Sequence, residues 1–141
     1  MKKSLVILLV ALVAVSLFVG CKNEPEEEKE VEIKYEDLLG TWRDGDSSDF
    51  VELKFTKVER QDGTLYGASL NEKSGITSYS SEMTFTLKDN VITFTSIYNS
   101  SNVYNYKVSF NGQKLVIKQI GDGTIWNNHT TETEFTMSPM S

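Results

Sequence analysis

Few side chains in this 141-residue sequence are equipped for chemistry, and their spacing limits what they can do. There is one cysteine, Cys21, and one histidine, His129. A hydrolytic triad needs a nucleophile, an imidazole and an orienting carboxylate. His129 is the sole imidazole on offer, and it sits in Ile125-Trp126-Asn127-Asn128-His129-Thr130, a polar stretch that reads as an exposed loop between the last two strands. Asp44-Gly45-Asp46-Ser47-Ser48-Asp49 gathers three carboxylates of the kind that ligate calcium. A calcium-binding loop starting at Asp44 would need Gly at its sixth position and Glu at its twelfth, where Asp49 and Phe55 stand, so this run reads as a solvated loop. Glu132 and Glu134 share a strand face, but no apolar pocket can be inferred around them to separate their pKa values as a glycosidase pair requires. No catalytic residue, metal site or cofactor is expected, and the chain is not expected to be an enzyme. A net charge of −6 argues against a nucleic-acid partner.

Aromatic side chains offer a different chemistry, stacking and apolar contact. Trp42, Phe55, Phe85, Phe94, Tyr104, Tyr106 and Phe135 are the candidate ligand-binding residues; the same rings, with Met83 beside them, would equally serve as core. The tyrosines Tyr66, Tyr79, Tyr98, Tyr104 and Tyr106 could stack on a planar or carbohydrate ligand if they face one surface or line an interior.

Strands must position these rings. Val51, Leu53 and Phe55 alternate with Glu52, Lys54 and Thr56; Met83, Phe85 and Leu87 alternate with Thr84, Thr86 and Lys88; Tyr104, Tyr106, Val108 and Phe110 alternate with Asn105, Lys107 and Ser109. Period two gives one wet and one dry face. After Cys21 the chain holds a single alanine, Ala68, and is rich in Thr, Ser and aromatics, a balance that disfavours a helix bundle. Turn dipeptides separate the runs: Asp62-Gly63, Asp89-Asn90 and Asn111-Gly112. With Thr41–Arg43 at the start and Thr131–Met137 at the end, the pattern predicts an all-β fold, an antiparallel up-and-down meander of about eight strands. Eight strands can close into a barrel, which removes exposed edges.

The N-terminus is of another kind. Lys2 and Lys3 precede Leu5 to Val19, an apolar run interrupted only by Ser16, then Gly20 and Cys21. As a helix this run spans about 22 Å, short of the roughly 30 Å hydrocarbon layer, so it reads as an export signal rather than an anchor. Lys22 to Lys34 then carries six Glu and three Lys, too polar to offset its own ordering entropy. The expected organisation is a signal peptide over residues 1–20, Cys21 and a disordered acidic tether over 21–34, and the barrel domain over 35–141.

Phe18-Val19-Gly20-Cys21 resembles the lipobox of bacterial lipoproteins, with Phe where Leu is more usual. The resemblance implies cleavage before Cys21 and acyl chains, palmitate among them, on its thiol and amine. Two or more chains make a permanent anchor, at about 0.8 kcal/mol per buried methylene. The implied location is the bacterial cell envelope, and the acidic run after Cys21 resembles a signal for the outer membrane or cell surface.

A short helical turn at Tyr35-Glu36-Asp37-Leu38-Leu39-Gly40, followed by Trp42, resembles the opening of lipocalin-like domains, in which a helix plugs one barrel end and Gly-x-Trp begins the first strand. The resemblance implies a lipocalin-like barrel that binds a small apolar or aromatic ligand. The alternative expectation is a surface-exposed interaction or inhibitor module with a filled barrel and a protein partner.

Overall fold

Each alternating run becomes a strand with its apolar face turned inward. A computed structural model describes residues 30–141; the expected signal peptide, Cys21 and the expected tether up to residue 29 lie outside the described residues. A one-turn helix, α1 (Tyr35–Leu38), precedes β1 (Gly40–Gly45), β2 (Asp49–Arg60), β3 (Gly63–Ser74), β4 (Thr77–Lys88), β5 (Val91–Ser96), β6 (Val103–Asn111), β7 (Lys114–Ile120) and β8 (Glu134–Met140). Sequential neighbours pair antiparallel, and β1 pairs with β8 through Thr41 and Met140, so the sheet is a closed barrel. Among the described residues closure gives every strand a neighbour on each side, although β2 beyond Phe55 and β4 before Met83 pair on one side only.

In a meander the turns alternate between the two barrel ends. One end holds the two-residue turns β2–β3, β4–β5 and β6–β7 together with α1 and the C-terminus. At the β4–β5 turn Asp89 and Asn90 both take positive φ, 51° and 58°, the backbone that the right-handed twist of a hairpin requires. The hairpin between β3 and β4 turns at Gly75-Ile76, a reversal not singled out above, because both strands continue past Leu70 and Ser81 with polar residues. β8 begins at Glu134, three residues later than expected, because residues 121–133 form a long connection across the other end.

Inside, the dry faces meet. Val51, Leu53, Phe55, Leu70, Phe85, Ile92, Phe94, Tyr106, Val108, Leu115, Ile117 and Met137 are buried. Phe55 stands edge-on to Phe85 at 5.1 Å between ring centroids, Phe94 lies 6.2 Å from Phe55, and Tyr106 is edge-on to Phe94 at 5.7 Å. Such ring pairs each contribute about 0.5–1.5 kcal/mol beyond the area they bury.

The helical end is sealed. Leu38 is fully buried, and its carbonyl accepts the Trp42 indole N–H at 2.8 Å. The Tyr35 ring stacks on Tyr66 at 3.9 Å while its hydroxyl accepts the Leu87 N–H. The folded unit begins at Glu32, ahead of the expected boundary at Tyr35, because Ile33 is buried and its N–H donates to the Asn90 side-chain oxygen at 2.8 Å.

Candidate functional site: the polar mouth of the barrel

Toward the opposite end the inward-facing positions change character. On β3 the dry face runs Ala68, Leu70, Glu72, and Glu72 is 1% exposed. An ionised carboxylate there is costly unless donors surround it. The connection over residues 121–133 supplies them. Glu72 Oε2 accepts the Asn127 N–H at 2.7 Å; Oε1 accepts the Asn128 N–H at 3.1 Å, the His129 N–H at 3.2 Å and faces His129 Nδ1 at 2.9 Å. Three consecutive backbone N–H groups thus wrap one side chain, and the loop is folded around Glu72 from the inside.

His129 continues the chain of charge outward. Its Nε2 lies 2.7 Å from Asp49 Oδ1, at the start of β2. A neutral imidazole has one N–H, so only the imidazolium donates to both carboxylates. Desolvation works against the charged ring, yet the bonds to Asp49 and Glu72 override it and hold the His129 pKa above its ordinary value. His129 was expected as an exposed loop residue; that reading is corrected, since its side chain is only 10% exposed and bridges two strands' carboxylates.

A second clamp fixes the other half of the loop. The Tyr106 hydroxyl accepts the Ile125 N–H at 3.1 Å and lies 3.0 Å from Thr124 Oγ1. Ile125 and Trp126 are thereby driven into the barrel, where the Trp126 ring stands edge-on to Phe135 at 4.7 Å. Gly123, at φ +90°, passes so close to the Tyr104 ring that an added Cβ would lie 3.2 Å from it. The indole N–H of Trp126 is buried without a partner.

Two cavities flank the loop. One, of about 220 Å³, lies in the mouth between β4, β5, β6 and the loop; Tyr79, Tyr104 and Trp126 give it aromatic walls, with Ser81, Ser96 and Asn102 among its polar groups. The other, of about 250 Å³, opens beside His129 and is acidic, with Asp44, Asp49 and Glu132 in its lining. The first of the three carboxylates expected as a solvated loop lies in that lining, and the second, Asp46, closes the β1–β2 turn by accepting the Ser48 and Asp49 N–H groups.

Of the seven ring residues put forward from the sequence, Trp42, Phe55, Phe85, Phe94, Tyr106 and Phe135 are buried among one another in the core. Tyr104 alone of the seven lines the mouth cavity. Sequence reasoning missed Glu72 and Trp126. The signal for Glu72 was present: carrying the period of β3 two residues beyond Leu70 puts a carboxylate on the dry face. Trp126 had none, because nothing local says that a polar loop folds back into the barrel.

The fold and this site define a small closed antiparallel barrel, sealed at one end and polar at the other. Set against known proteins, the chain matches no family model, no curated protein and no solved structure.

Proposed function

We propose that this chain is a lipid-anchored protein of the bacterial cell envelope, held by acyl chains on Cys21, whose barrel binds a small molecule at its mouth. The mouth cavity of about 220 Å³, walled by Tyr79, Tyr104 and Trp126, carries this reading. Ligand pockets combine apolar and aromatic side chains with convergent polar groups; residues of both kinds line the mouth, with polar surface predominating. The rings of Phe55, Phe85, Phe94 and Tyr106 contact one another, which favours the rim over the middle of the barrel as the binding site. The folded unit is entered through Ile33 at the sealed end of the barrel, opposite the mouth.

Native mass spectrometry of the protein purified from its own organism tests the binding. A retained small molecule that is lost in Ser81→Phe, which places a ring in the cavity, is the expected result. A ligand retained equally by that variant would refute the mouth as its site. For the anchor, Cys21→Ala should move the protein from the detergent phase to the aqueous phase.

An interaction module is the second reading, favoured by apolar residues on two open-end loops: Ile76 is fully exposed, and Ile97 and Tyr98 are 55% and 79% exposed. Exposed aliphatic and aromatic loop residues mark partner surfaces when they form a patch.

A further inference from the structure

We infer that the open edge of β4 is a self-pairing surface, on which a second copy of this chain adds its own β4 antiparallel to form a two-fold dimer. The inference deepens the interaction reading, on which it rests, and stands apart from ligand binding at the mouth.

The edge exists because neighbouring strands differ in length. β4 runs from Thr77 to Lys88, but β5 meets it only from Met83 onward, where Ser96 is the partner. Thr77 closes the turn against Ser74, so the odd-numbered residues of this stretch direct their N–H and C=O groups to β3. The even-numbered ones face the other way: the Glu82 carbonyl accepts the Ile97 N–H at 3.4 Å. Ser80 and Ser78 are in phase with Glu82, and among the described residues no hydrogen bond reaches their main chain from that side. Thr77 to Ser80 are all exposed.

Such an edge invites pairing unless charge, proline or a covering loop blocks it. The other one-sided stretch of the barrel, β2 beyond Phe55, carries Lys57, Glu59 and Arg60. The β4 edge reads Thr77-Ser78-Tyr79-Ser80-Ser81-Glu82, with one charge at its end and no proline. In a chain of net charge −6 this is a neutral strip along which two copies approach without opposing carboxylates.

Register follows from the free groups. Even-numbered residues must face each other for their N–H and C=O groups to be exchanged, which puts the two-fold axis on a single residue. An axis at Tyr79 pairs Thr77 with Ser81, and Ser78 with Ser80, of the second copy. An axis at Ser80 would drive Thr77 of the second copy into the place opposite Met83 that Ser96 holds, and one at Ser78 would pair only Thr77 to Tyr79. At the Tyr79 axis the two tyrosine rings meet on one face as an aromatic cross-strand pair. Ile76, at the fully exposed hairpin tip, then lies opposite Glu82 and beside Ile97, which is 55% exposed. An isologous contact of this kind closes on itself and stops at two copies.

The full chain in detergent should have the protein mass of a dimer by light scattering, and the Ser78 and Ser80 amides should gain protection from hydrogen exchange as concentration rises. Ser80→Pro removes an N–H that β3 does not use, so the barrel should fold and the mass should halve. Ser78→Glu with Ser80→Glu sets like charges opposite each other twice and should weaken the dimer by at least about tenfold, whereas Ser78→Glu with Ser80→Lys sets opposite charges there and should keep it. That contrast reads the register through exposed side chains even if the proline variant misfolds. A dimer that survives Ser80→Pro, or that both double variants weaken alike, pairs in another way and overturns the inference. Monomer mass with the two amides protected means that a segment of the same chain covers the edge, and overturns it too. A monomer that brings down another polypeptide, released by Ser80→Pro, overturns the second copy while the interaction reading stands. A monomer with both amides exchanging freely and no polypeptide bound removes that reading as well.

Discussion

The two ends of the barrel solve the problem of closure in opposite ways. At the sealed end Ile33, Leu38 and Trp42 fill the opening, and the polar atoms that go inside are paired: the Trp42 indole with the Leu38 carbonyl four residues away, the Ile33 amide with the Asn90 side chain 57 residues away. At the mouth the loop is held by a buried carboxylate, an imidazole and a phenol. Two buried donors, the Trp126 indole and the Asn128 side-chain amide, have no partner there. A chain that satisfies its polar groups at one end and leaves them unsatisfied at the other concentrates its functional compromise at the second.

The largest effects should come from removing each end's keystone. Glu72→Ala leaves three loop amides and a cationic ring without their acceptor and should cost about 3–5 kcal/mol in urea unfolding. Leu38→Ala should cost about 2–5 kcal/mol through the cavity it opens. The comparison breaks if the two variants respond alike to pH. Only the Glu72 variant should change the pH dependence of stability, and only it should speed amide exchange at Asn127, Asn128 and His129.

The sealed end was the more legible of the two. Tyr35 to Trp42 carries its plug in order, and period-two alternation in β2, β4 and β6 determines which rings face inward, because those contacts repeat a local pattern. The turn at Asp89-Asn90 was legible for the same reason, since two short polar residues at positive φ are a local property. The mouth depends on contacts 55 to 57 residues apart between Glu72 and the loop, and 80 apart between His129 and Asp49, just as the docking of the plug depends on Ile33 meeting Asn90 and Tyr35 meeting Leu87, 57 and 52 residues apart. No window of sequence reports them. His129 lies in a polar stretch, and polar stretches are usually wet; here the buried Glu72 pulls the stretch inward. The rings of the core were found, but local alternation cannot distinguish a ring that fills a barrel from one that lines a cavity, as Tyr104 does.

A smaller effect, confined to the mouth, follows from the charge on His129. Its folded pKa lies above its ordinary value of 6.5, so the native state binds the proton more tightly than the unfolded chain. The stabilisation is therefore fully present below pH 6.5 and is lost as pH rises through the folded value. A neutral ring keeps one of its two bonds, so the loss should be roughly 1–2 kcal/mol. Urea midpoints of the native protein should fall across this window, and His129→Gln should flatten that fall. A slope of the opposite sign would mean that the ring is neutral in the fold.

Asp49→Asn should have the smallest effect, because the Asp49 side chain is 62% exposed and water replaces much of what the ion pair supplies. The stability change should stay below about 1 kcal/mol. The same variant should still lower the His129 pKa toward its ordinary value, since one of the two bonds that raise it goes from charged to neutral. With a single histidine in the chain, the ring resonances need no assignment, and an NMR titration reads that shift directly. The buried partner carries the structural load and the exposed one tunes the charge, so Glu72→Gln should destabilise the loop much more than Asp49→Asn does. Equal destabilisation would mean that the loop is held by the ion pair at the surface, and the contrast between a mouth organised from within and an end plugged by packing would be lost.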